Sequence, residues 1–215
     1  MAEEPHWRAS VIRLAVSVEG QTEEEFVKRV LDEHLRPLGV APEPILIGGS
    51  VTVRRLAFDM ALLYQSHDSV TSLVDFYGFP RKGDRTVEAI ETHLREKIGE
   101  RVGGGWDENR VFPYVQMHEF EGLLFSDVEV FATQIDFPPD CMAALRAVRE
   151  QFTTPEDIND SCETAPSKRI ARAIPRYDKR LHGPILAEEI GLDRIRTECP
   201  RFDAWVRRLE TLGTE

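Results

Sequence analysis

Cysteine is scarce in this chain of 215 residues: Cys141, Cys162 and Cys199 are odd in number and widely spaced. That spacing excludes a disulfide framework and a zinc knuckle. Long apolar runs are also missing, and no window approaches the roughly 20 apolar residues of a membrane span. Met1 to Ser10 carries Glu3, Glu4 and Pro5 where a secretory leader would be basic and then greasy. The expectation is a cytoplasmic protein with no membrane partner. The signatures GxxxxGK(S/T), HExxH, GxSxG and CxxC are absent, so P-loop hydrolysis, zinc proteolysis and serine esterase chemistry lack their residues. Gly103-Gly104-Gly105 has no Lys-Ser or Lys-Thr after it and reads as a loop. Positive charge is in deficit, with 27 Lys and Arg against 38 Asp and Glu and a net charge of -11. This argues against a general nucleic-acid coat, which needs a basic footprint.

The chain does have enough apolar residues, 41% of the total, for one core with a smaller appended lobe. Ile12 to Val18 reads as a buried strand, followed by a helix with Thr22 as N-cap, Glu25 three residues on, and Phe26, Val27, Val30, Leu31 and Leu35 on one face. Further strands are expected at Pro44 to Ile47, Val70 to Val74 and Val111 to Met117. Helical patterns lie between them, through Leu56, Met60, Leu63 and Tyr64, and through Val87, Ile90, Leu94 and Ile98. Alternating strands and helices imply right-handed crossovers and a mainly parallel α/β sheet of about four strands flanked by helices. Beyond Ser126 the strand signals fade. Met142 to Phe152, Lys168 to Ile174, Ile185 to Ile190 and Phe202 to Leu212 read as helices punctuated by prolines. The expected division is an α/β domain over 1–126 and a C-terminal helical lobe over 127–215 packed on it.

Two of the apolar strands stop at a carboxylate. Glu19 ends the first, and Gly20 lets the chain turn and bring its backbone near a phosphate; Asp75 ends the third. Acids at the carboxyl ends of parallel strands sit where open α/β folds bind ligands, and a hard cation such as Mg2+ prefers carboxylate oxygens. Each also has a plainer reading, Glu19 as an acid complementing the helix dipole and Asp75 as a turn cap. His118-Glu119-Phe120-Glu121 follows the fourth strand. Glu119 and Glu121 share a face if the segment is extended, and only one reaches the site if it is helical. Glu23, Glu24 and Glu25 read as first-turn and capping acids, and His118 as a surface histidine. Arg81 and Lys82 lie just after Asp75, while Lys168, Arg169, Arg172, Arg176, Lys179 and Arg180 form a basic stretch, either a phosphate grip or a solvated face.

Glu19-Gly20-Gln21-Thr22-Glu23, followed by Asp75-Phe76-Tyr77, resembles the Toprim domain, especially the overcoming-lysogenisation-defect nucleases with their EGxTE element. Asp75 to Pro80 (DFYGFP), His118 to Phe125 (HEFEGLLF) and Glu163 to Ile170 (ETAPSKRI) look like a bacterial Toprim-like family of unknown function often encoded near ATPases. The resemblance spans most of the chain. It implies a parallel sheet, Glu19 as general acid or base, and Asp75 as the first acid of a DxD element whose second acid is replaced by Tyr77. Metal ligation would fall to Glu19, Asp75 and Glu121, with Glu119 as a further catalytic candidate. Gly20, Arg81, Lys82, Lys168 and Arg169 would be substrate-binding. The implied activity is Mg2+- or Mn2+-dependent cleavage of DNA or RNA, working with a separately encoded ATPase in phage defence, and a homodimer is left open. The alternatives are a catalytically silent Toprim-like subunit binding an ATPase or nucleic acid, and hydrolysis of small phosphoesters.

Overall fold

The computed structural model describes residues 11–48, 50–80, 83, 85–134, 139–159 and 163–214. Strand β1 (Ile12–Val18) leads through Glu19 and Gly20 into α1 (Gln21–Phe26), which continues through a π-helical turn (Val27–Leu31) into α2 (Asp32–Leu35). The helix begins two residues earlier than its sequence suggests. Gly20, not Thr22, is the N-cap, and the Glu23 carboxylate, not that of Glu25, accepts the Gly20 N–H at 2.9 Å. The reason is that the strand runs straight into the turn, leaving the Gly20 amide as the first donor in need of a partner. Phe26, Val27, Val30, Leu31 and Leu35 are buried on one side, as their spacing predicts.

Strand β2 (Val40–Leu46) starts four residues before the expected segment. Among the described residues it pairs only with β1, so it is an edge, and Pro42 and Pro44, two apart, put both missing N–H groups on the unpaired side. Helix α3 (Val53–Leu63) leads to β3 (Ser69–Asp75), and α4 (Val87–Val102) leads to β4 (Val111–Phe112) and β5 (Val115–Gln116). The expected fourth strand is split because Pro113 interrupts it. Ser72 repairs the gap with its hydroxyl, which accepts the Tyr114 N–H at 3.1 Å and donates to the Tyr114 carbonyl at 2.9 Å. All pairings are parallel, in the order β2-β1-β3-β4, with β5 also on β3.

That order reverses direction between β1 and β3. Right-handed crossovers then put α1 on one face of the sheet and α3 and α4 on the other. The two apolar clusters follow suit. Leu14, Val16, Val18 and Leu73 pack with Phe26 and Leu31, whereas Ala15, Val70 and Val74 pack with Leu56, Met60, Ile90 and Leu94.

The α-helices that follow among the described residues are α5 (Val130–Gln134), α6 (Pro139–Arg149), α7 (Pro166–Ala173), α8 (Lys179–Ile190), α9 (Leu192–Glu198) and α10 (Pro200–Thr211). Helix α7 ends before Pro175, so Arg172 and Arg176 do not share one helical face. Helices α8 to α10 bury Leu186, Ile195, Phe202 and Val206 in the same cluster as Leu14 and Phe26. Trp205 of α10 reaches the sheet itself, donating its indole N–H to Thr71 Oγ1 at 2.9 Å.

Candidate functional site

The carboxyl ends of β1 and β3 flank the point where the strand order reverses, and a crevice there is the expected ligand position in an open α/β sheet. A cavity of 340 Å³ lies at that place, walled by Glu19, Glu23 and Asp75, with Lys179 and Arg180 from α8 and Leu46 from β2. Glu19 lies against the backbone of Gly78 in the turn after β3. A Cβ added at Gly78 would stand 3.1 Å from the Glu19 carboxyl carbon and closer still to one oxygen. This contact joins the turns after β1 and β3. It leaves Glu19 Oε2 buried and without a hydrogen-bond partner among the described residues.

Asp75 is 8% exposed, and its Oδ1 accepts the Phe120 N–H at 2.8 Å. That bond fastens the end of β3 to the 3-10 helix Phe120–Ser126, all of whose residues are buried. Glu121, 1% exposed, sits in its first turn with Oε1 unpartnered among the described residues. Glu119 precedes it in extended conformation, and its Oε2 accepts the Ser167 N–H at 3.0 Å in the first turn of α7. The HEFEGLLF and ETAPSKRI segments therefore meet through one helix cap. His118 is the only described non-glycine residue with positive φ, 62°. It is half-buried, its ring lies against Tyr77 (centroids 5.6 Å apart), and Asn159 Nδ2 is 3.1 Å from its Nδ1. The amide of Asn159 also donates to the Tyr77 hydroxyl.

Crowded, buried carboxylates resist ionisation. Burial raises the Glu19 pKa first, and the charge of Glu23 adds to it, while the backbone amide of Asp75 and Lys179 oppose the shift. Burial likewise raises Glu23. Asp75 is pushed well above the usual carboxylate range by burial and then by Glu23, Glu121, Glu19 and Glu119. Burial lifts Glu121 to about 7 against the pull of Lys179. Burial also disfavours the Lys179 ammonium, but Glu121, Asp75, Glu23 and Glu119 outweigh it and hold its pKa above the ordinary lysine value.

Glu19 and Asp75 thus share one cavity, and Glu119 and Glu121 act on it through charge from behind the wall. Gly20 lies on the cavity wall. Arg81 and Lys82 fall outside the described residues. Lys168 is exposed, and Arg169 bonds the Thr164 carbonyl at 2.6 Å and lies over the Phe152 ring; neither lines this cavity. The basic stretch reaches the acids at Lys179 instead. Sequence reasoning assigned Glu23 to helix capping alone and did not separate Lys179 from its neighbours. The available signals were Glu23 four residues after Glu19 and Asp178 as an N-cap setting Lys179 at a helix start. Helix α8 is held there by close packing. Thr22 Oγ1 lies 3.4 Å from the Lys179 carbonyl, and a Cβ on Gly183 would stand 2.9 Å from Thr22 Cγ2.

The donor set suits a hard divalent ion: all oxygen, with buried carboxylate oxygens of Glu19 and Glu121 that have no hydrogen-bond partner among the described residues. Among the described residues no three acidic, histidine or cysteine side chains are gathered closely enough to ligate one ion. A cation would have to draw the acids together.

Strand order and helical layers define a Toprim-like α/β domain with C-terminal helices. The chain belongs to the family described as Domain of unknown function (DUF4276), whose model matches residues 18–210. It is similar to the C-terminal region of the Burkholderia pseudomallei OLD protein, at 18% identity over 94% of this chain and 97% of that one, with a TM-score of 0.52. The C-terminal region of the Xanthomonas campestris pv. campestris OLD protein is also similar, at 17% identity over 94% and 95%, with a TM-score of 0.49. No curated protein matches the chain in sequence. No helix among the described residues is long and apolar enough to cross a membrane.

Proposed function

We propose that this protein is a divalent-metal-dependent phosphodiester hydrolase, a nuclease acting on DNA or RNA. The observation that carries the reading is the pair of buried carboxylate oxygens on Glu19 and Glu121, unpartnered among the described residues and set among acids that resist ionisation. Such an arrangement costs stability unless a cation joins it. Glu19, Asp75 and Glu121 are the residues to hold Mg2+ or Mn2+. A bound ion there would neutralise phosphate charge and supply a water of lowered pKa. Glu19, on the cavity wall, takes and returns the proton. Asp75 fixes the register of the Glu121 segment through the Phe120 N–H. Lys179 balances the acids when the metal is away and faces phosphate charge when it is present. On this reading residues 127–215 form a lobe of the 1–126 domain, since it contributes Lys179. The setting we infer is cytoplasmic, with a separately encoded ATPase, in defence against foreign DNA.

The test is cleavage of single- and double-stranded DNA and RNA with Mg2+ or Mn2+, beside Glu19→Gln and Asp75→Asn. Cleavage by the wild type and a loss of at least about 100-fold in both variants supports the reading. Equal cleavage by all three marks contamination and overturns it.

A second reading, a silent subunit that binds an ATPase or nucleic acid, is favoured by one observation. Tyr77 stands where the second DxD acid would be, engaged with His118 and Asn159. Failure to bind any divalent ion in calorimetry would select it.

A further inference from the structure

A second cavity, of 620 Å³, opens on the same edge of the sheet as the acids. Strand β2 ends at Leu46 on the acidic cavity and the chain after it carries Ser50 on this one, while the turn after β3 carries Gly78 against Glu19 and Phe79 here. Its volume falls within the range of about 300–1,000 Å³ typical of ligand pockets. One part of the wall is apolar, from Val53, Phe79 and Ile90, and another carries Arg54 and Arg85.

The two arginines combine a place on this wall with the lack of an acidic partner. Many arginines of this acidic protein are paired, as Arg13 is with Glu43, Arg36 with Asp32, and Arg55, next to Arg54, with Asp59; Arg95, Arg172 and Arg176 are unpaired too among the described residues, but none of them lines this cavity. Arg54 and Arg85 are exposed and make no ion pair or hydrogen bond with any described residue beyond the backbone bonds of their helices and turns. The Thr52 hydroxyl oxygen, also on this wall, accepts the Arg55 N–H at 3.2 Å as the cap of α3, which leaves its O–H to donate beside the charge of the two guanidiniums. Guanidinium groups match phosphate geometry, and an apolar wall beside them suits a base more than a bare anion. A base stacked within a duplex cannot enter a concave cavity, whereas an unpaired one can.

We propose that this cavity seats one nucleotide of a single nucleic-acid strand, its phosphate on Arg54 and Arg85 and its base against Val53, Phe79 and Ile90, beside the phosphate cut at the acids. The proposal rests on the hydrolase reading for its neighbour and names the substrate that reading leaves open. It also explains how a chain with a net charge of -11 accepts a polyanion: the positive potential is local.

The experiment measures anisotropy of a labelled single-stranded DNA oligonucleotide, and of its abasic counterpart, with full-length protein carrying Glu19→Gln so that no strand is cut. Arg54→Ala and Arg85→Ala should each weaken binding by about three- to tenfold and reduce the salt slope by about one. Arg207→Ala, an exposed control on α10, should change neither, and the abasic strand should bind less tightly than the intact one. Unchanged affinity in both cavity variants, an equal loss in the control, or equal binding of the abasic strand would overturn the proposal. Wild-type cleavage is scored separately. Its absence removes the hydrolase reading while the binding result stays legible, and its presence alongside unaltered binding removes only the cavity assignment.

Discussion

The backbone N–H of Phe120 donates to Asp75 Oδ1 at 2.8 Å, so the acid at the end of β3 is both a wall of the cavity and the anchor of the segment bearing Glu121. The two roles can be separated. Replacement of Asp75 by asparagine retains an acceptor oxygen for the Phe120 amide, whereas replacement by alanine leaves that buried N–H unpaired at a cost of about 1–3 kcal/mol. Asp75→Asn should therefore unfold in urea at or above the wild-type midpoint, and Asp75→Ala below it, with both inactive. Equal midpoints for the two variants would contradict the anchoring role.

Stability should fall as pH rises from about 4 to 7. Raised carboxyl pKa values mean that the folded protein binds more protons than the unfolded chain in this window. Each such acid contributes fully below its unfolded pKa and loses that contribution as pH climbs through its folded value. Glu121, lifted from 4.5 to about 7, alone accounts for roughly 3 kcal/mol. Metal-free protein should melt higher at pH 5 than at pH 8, and Glu121→Gln should flatten the difference. Mg2+ should restore more stability at pH 8 than at pH 5. A melting temperature that rises steadily across the window would be inconsistent with these buried acids.

Lys179 is the cation that Glu121 senses most. Lys179→Met should carry the Glu121 pKa above about 7 and deepen the loss of stability at pH 8. Carbon-13 NMR of the glutamate carboxyls would follow it. No displacement of the Glu121 titration would show that the ammonium lies too far away.

Close approach, not backbone conformation, requires glycine at positions 78 and 183. Gly78→Ala would force the Glu19 carboxylate from its place, and overpacking of this kind costs about 1–3 kcal/mol. Cleavage should fall by more than the stability loss explains. Gly183→Ala presses on Thr22 Cγ2 at 2.9 Å and should weaken folding through the α1–α8 contact. Full activity in Gly78→Ala would remove Glu19 from the chemistry.

Much of the fold was legible because apolar runs in β1 and β3 stop at charged residues and their intervening helices keep a clear apolar face. Val40 escaped notice as a strand start because Pro42 and Pro44 disguise an edge strand. Val130–Gln134 and Leu192–Glu198, five and seven residues long, are too short for periodicity to register.

The amino-acid sequence by itself determined which residues end the central strands, and so placed Glu19 and Asp75 at one edge of the sheet. A strand's end and its direction are local matters of apolar pattern and turn chemistry. Only the tertiary structure decided that Glu23 doubles as cap and cavity wall, that Glu121 is buried with an oxygen unpaired among the described residues, and that Lys179 is brought to the acids. Those facts arise from contacts such as Thr22 with the Lys179 carbonyl, 157 positions apart, which no local spacing encodes.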